Sequence, residues 1–220
     1  MQDRNNWRAT VTKVTLLHPQ RFGVPPESIG ELARSDRHWH LVRGQVLALR
    51  PAGSSALELP YDLAADPDEP AVLARIDVEE TASWERPKLT TLERGCDFYV
   101  ADAEGRALVR VADDAGRLHP DVELHIGAPF VEHTLHTHPT VVKAYVRAIS
   151  VGDPIYVLGR SRLITHGGEL LTGLRDAPLL PCFAADAGPL HLYDESAFRQ
   201  LAAWYALPWY RKLSLLVRNR

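Results

Sequence analysis

Cysteine is nearly missing from this chain: of 220 residues only Cys96 and Cys182 are cysteines. Two cannot build a disulfide framework or a four-cysteine zinc site, and a single bridge between them is left open by the sequence. Such sparse usage fits a reducing compartment, so a cytoplasmic protein is expected. Long apolar runs are missing too. Nowhere do about 18 or more apolar residues follow one another, and the opening MQDRNNWRATVTK has no apolar stretch of the secretory kind. The chain as given is read as one that does not itself span a membrane. Nucleophile and phosphate motifs are equally scarce: there is no G-x-S-x-G elbow, no G-x-x-x-x-G-K-[ST] loop and no G-x-G-x-x-G turn. No catalytic residue and no cofactor are therefore expected.

What is present is the composition of a folded soluble domain, 45% apolar and 24% charged. The formal charge of −3 is unevenly spread. Residues 194–220 hold five cations against two carboxylates, a net of +3, which leaves −6 on the first 193 residues. An acidic body repels phosphate backbones, so no nucleic-acid partner is expected.

Hydropathy patterning predicts strands. WRATVTKVTLL at 7–17 is β-branched and roughly alternating, and His18 and Pro19 close it. PPESIGELARS predicts a short helix opening after Pro25 and Pro26. WHLVRGQVLALRP at 39–51 predicts a strand with Gly44 at a bulge or a close approach. From Ala71 the stretches VLARIDVEE, FYVAD, RALVRVA, VELHI, VKAYVRAI and PIYVLGRSRLI follow, each bounded by Gly, Pro or Asp. DESAFRQLAAWYAL then predicts a helix with Asp194 as N-cap and Pro208 as stop. The expected fold is mainly β, an antiparallel barrel or sandwich of the OB-like kind with a short N-terminal helix and a C-terminal helix. Residues 1–35 form the N-terminal strand and helix, 36–192 the β body, and 193–220 an aromatic-basic tail.

Several constellations invite chemistry. In CDFYVADAEGRALVRV, Asp102 and Gly105 read as a turn: the carboxylate accepts backbone hydrogen bonds and the glycine supplies a positive φ to the returning strand. VEHTLHTHP offers His133, His136 and His138; on an extended strand 136 and 138 share a face, a usable chelate, while 133 falls opposite. His38 and His40 around Trp39 read as a solvated strand entry. The acidic loop with Asp62, Asp66, Asp68 and Glu69 lacks the Gly and terminal Glu of a calcium loop, and Gly167 with Gly168 reads as a hairpin turn. The tail places Trp204, Tyr205, Trp209 and Tyr210 beside Arg211 and Lys212, a composition suited to a membrane–water boundary or to a partner, or to docking on the body.

The order of five stretches resembles the GIDE, or "beside a membrane", domain: LVRGQVLAL at 41–49, VLARIDVEE at 72–80, FYVADAEGRALVRV at 98–111, VGDPIYVLGR at 151–160 and PLLPCFAAD at 178–186. That domain occurs in mitochondrial membrane-anchored ubiquitin ligases and bacterial relatives, and the resemblance spans roughly residues 28–186. It implies a β-barrel-like module that lies next to transmembrane helices and acts through protein contacts. Two isolated cysteines cannot furnish a RING finger, so ubiquitin transfer does not carry over. The acidic loop at 60–70 also stands where many relatives have a Pro-Cys pair. The leading expectation is a non-catalytic domain that binds an unidentified protein partner or ligand, cytoplasmic and peripheral to a membrane through its tail. Two alternatives stand beside it: a metal-dependent enzyme using His136 and His138 with His133 or His125, and an oligonucleotide-binding barrel by fold analogy.

Overall fold

The structure is a computed structural model that describes residues 26–34, 39–49, 57, 70–81, 88–113, 116–137, 140–165 and 179–208. The predicted strand at 7–17, His38, His138, the acidic loop at 60–69, the 167–168 turn and Trp209 to Lys212 lie outside these residues.

The described chain is mostly β, as its alternating patterns predict. A 3-10 helix (Ile29–Arg34) precedes β1 (His40–Ala48), β2 (Ala71–Thr81), β3 (Lys88–Gly95), β4 (Phe98–Ala101), β5 (Arg106–Arg110), β6 (Val122–His125) and β7 (Val131–Thr137). There follow β8 (Thr140–Ser150), β9 (Pro154–Gly159), β10 (Ser161–Thr165), β11 (Leu179–Ala184), β12 (Leu190–Asp194) and α1 (Glu195–Ala206). Eight strands make one sheet in the order β10-β11-β5-β4-β1-β9-β12-β6, and four make a second, β3-β2-β8-β7. Neither order closes on itself. Most pairs are antiparallel, but β11 with β5 and β12 with β6 are parallel. Both parallel pairs join strands separated by long excursions, which is how parallel neighbours must be connected.

Alternation sorts the side chains. One face of the large sheet carries Val42, Val46, Phe98, Val100, Val109, Val157, Phe183 and Leu192, packed with Val72, Leu73 and Ile149 of the second sheet and with Ile29 and Leu32 of the 3-10 helix. This is the main core, where the two sheets meet. The opposite face holds two smaller clusters, one under α1 and one around Leu108, Leu180 and Cys182. No disulfide joins Cys96 to Cys182. Burial pushes both thiols up, so neither is a thiolate nucleophile at neutral pH.

The two corners that carry the resemblance serve this architecture. The Asp102 carboxylate accepts from the amides of Glu104 and Gly105 at 2.8 and 2.9 Å, and its other oxygen accepts from Ile29 at 2.8 Å. It therefore closes the β4–β5 hairpin and fastens the 3-10 helix to it. Gly105 does not take the positive φ expected of it; among the described glycines only Gly116, Gly152 and Gly188 do. The carboxylate holds the turn without a left-handed glycine, and a Cβ on Gly105 would meet Ile29 at 3.6 Å, where the 3-10 helix passes over. In the second corner Gly152, at φ 95°, forms the turn whose ends are tied by Asp153 N–H to Ser150 O and by Ser150 N–H to the Asp153 carboxylate. Gly44 is a close approach and not a bulge. Its register with β9 is unbroken, and a Cβ there would stand 2.4 Å from the Ala101 carbonyl.

Candidate functional site

Helix α1 lies on the outer face of the large sheet. Asp194 accepts from Ala197 N–H at 2.6 Å and so caps the helix, as the sequence predicts. The same carboxylate accepts from Gly127 at 3.0 Å and Ala128 at 2.8 Å, so one buried side chain joins the β6 exit, the end of β12 and the start of α1. Phe198 stacks on Tyr156 with ring centroids 3.7 Å apart, and Leu201, Trp204 and Tyr205 continue the contact against Leu41, Leu158 and Tyr193. Arg43 and Glu195, 3.3 Å apart, pair across the helix start. Trp204 and Tyr205 are thus half-buried against the body. Among the described residues of the aromatic-basic set, Trp204 and Tyr205 dock.

Beyond the docked aromatics, toward the sheet edge, the same face becomes polar. In β6 the pattern V-E-L-H sends Val122 and Leu124 to the main core and Glu123 and His125 outward; in β12 the pattern L-H-L-Y sends Leu190 and Leu192 inward and His191 and Tyr193 outward. Parallel pairing puts His191 beside Glu123 and Tyr193 beside His125. One carboxylate oxygen, Glu123 Oε2, faces both imidazoles, 3.5 Å from His191 Nδ1 and 3.8 Å from His125 Nε2. A donor atom from each of the three side chains lies within 4.8 Å of the others. His191 is fully buried, and the other two are half-buried. Tyr193 stacks on His125 with centroids 4.6 Å apart. Burial pushes its hydroxyl far above the ordinary phenol range, and Glu123 and Tyr205 add to the shift, so Tyr193 stays a neutral phenol.

The histidines singled out by sequence fare differently. His133 lies on β7 opposite Ala144 and is half-buried, and His136 is in register with Val141. Of the side chains in that trio, His133 alone is described. His125, expected only as a completing ligand, stands instead with Glu123 and His191, the sole three-residue group of metal-ligand type among the described residues. His40 is not a solvated entry: it is buried and pairs through Nδ1 with Glu27 at 3.1 Å, because the segment before the 3-10 helix bridges onto β1. Sequence reasoning missed Glu123 and His191. Their signal was the pair of polar-Leu-polar alternations, ELH and HLY.

Comparison with protein-family profiles, with curated proteins and with solved structures finds no match for this chain. No helix among the described residues is long and apolar enough to cross a membrane.

Proposed function

We propose that this chain is a non-catalytic, GIDE-like binding domain that holds a protein partner or ligand close to a membrane surface, with the segment after α1 making the surface contact. One observation carries the reading. Four of the five stretches that carry the resemblance supply β1, β4 with β5, β9 and β11, and these are five consecutive strands of the large sheet. Matches scattered by chance have no reason to converge on one contiguous set of neighbours. The marked residues within them, Asp102 and Asp153, hold corners. A framework of that kind suits presenting a surface better than performing a reaction.

Because α1 takes Trp204 and Tyr205 into the body, the membrane role falls to Trp209, Tyr210, Arg211 and Lys212. An aromatic pair next to two cations matches the demands of an anionic interface. Vesicles carrying brominated acyl chains test this. Full-length protein is expected to lose tryptophan fluorescence on mixing with anionic vesicles, and Trp209→Phe to abolish most of that loss. Quenching that persists in the variant, or none in the parent, would contradict the proposal.

A further inference from the structure

We infer that Glu123, His125 and His191 form a binding site for one divalent ion of the Zn2+ class. Two imidazoles and one carboxylate are the donors that borderline transition ions take; Ca2+ and Mg2+ prefer all-oxygen shells. The spacing is close to what such an ion needs. Ligands about 2.0–2.2 Å from a tetrahedral ion stand roughly 3.3–3.6 Å apart, and Glu123 Oε2 is already 3.5 and 3.8 Å from the two ring nitrogens. The widest separation in the set is within 4.8 Å, so closing on an ion takes about an ångström of side-chain movement.

The framework around the donors is held at several points. Glu123 and His191 are directly paired across the β6–β12 ladder, with His125 two residues along the same face. Leu124, between Glu123 and His125, and Leu192, next to His191, are anchored in the main core. Asp194 ties the residues just after β6 to the start of α1. The Tyr193 ring lies against His125 and limits its rotation. Donors carried on paired strands, with supporting contacts, meet the usual requirement for a preorganised site. Glu123 supplies the negative charge that a buried cation requires, and burial of His191 strengthens that attraction. Three protein donors leave a coordination position for water or an outside donor. The bound ion would fasten β6, the edge of the large sheet, to β12. This inference stands whether or not the tail meets a membrane.

The competing explanation is a metal-free polar cluster in which Glu123 alone satisfies the two rings. Calorimetric titration of untagged, chelator-treated full-length protein with Zn2+ separates the two. One equivalent is expected. Glu123→Gln and His125→Gln, chosen because these positions are only half-buried, should each weaken binding roughly a hundredfold or more, since losing even an outer partner of a ligand costs about 10–100-fold. The triple variant His133→Ala, His136→Ala, His138→Ala should bind like the parent. Should either glutamine variant fail to fold, the imidazole proton resonances of the unmodified protein report directly: Zn2+ is expected to shift those of His125 and His191 and leave His133 in place. The inference is overturned by the absence of stoichiometric binding, by binding that survives both glutamine variants, by binding lost in the triple variant, or by shifts at His133 instead.

Discussion

Replacing Asp194 with alanine is expected to cost about 3 kcal/mol of stability. The helix cap itself accounts for about 1 kcal/mol, and the amides of Gly127 and Ala128, left partly buried without their acceptor, add about 1 kcal/mol each. Asp194→Asn keeps one oxygen and should lose about half as much. Gly127 has little room to find another partner, because a Cβ there would already lie 2.7 Å from Ala197 N. Urea denaturation measures the loss, and amide exchange locates it: the amides of Gly127, Ala128 and Ala197 should exchange faster while those of β4 and β5 stay protected. An alanine variant within about 0.5 kcal/mol of the parent would mean that Asp194 does not join the three elements.

Phe98→Ala should cost more, about 3–5 kcal/mol. Phe98 is fully buried on β4, opposite Ala48 of β1 and Val109 of β5, in the core where the two sheets meet. Truncation leaves a cavity that strands paired on both sides cannot collapse to fill. The loss is a large part of the roughly 5–15 kcal/mol that stabilises a typical domain. The urea midpoint should fall with little change in slope. Leu89→Ala, on the exposed side of β3, serves as the control and should stay within about 0.5 kcal/mol. Equal effects at the two positions would refute the assignment of the core.

The contrast between those positions also explains what the sequence made legible. The β4–β5 hairpin could be read because Phe98 and Val100 alternate inward on β4, because Ala107 to Val109 form a short apolar run on β5, and because Asp102 closes it by its own side chain. KLTTLERG, which became β3, could not: it is the edge of the second sheet, mostly exposed, and no hydrophobic period marks it. β7 is likewise an edge strand, and its run of Glu, His and Thr carries no regular hydrophobic alternation. LHLYD is not among the predicted strands, although all five residues are buried in β12. Its histidine and tyrosine are buried polar residues, and hydropathy alone does not anticipate them.

The candidate metal group was hidden for a further reason. His125 and His191 are 66 positions apart and meet only because β6 and β12 pair in parallel. A compact run such as VEHTLHTHP attracts attention because its histidines are near in sequence. Proximity along a strand is weaker evidence than shared register across two, since successive residues of one strand point to opposite faces. The N-cap was readable in advance because it is local; the grip of Asp194 on Gly127 and Ala128 was not.

Co-sedimentation of the full-length protein with vesicles tests the proposed function most directly. Arg211 and Lys212 should each contribute about 1 kcal/mol to binding an anionic surface. Changing both to glutamine should therefore weaken binding to anionic vesicles roughly thirtyfold, with little binding of either protein to neutral vesicles. Equal binding by parent and variant, or no binding by the parent, would contradict the account.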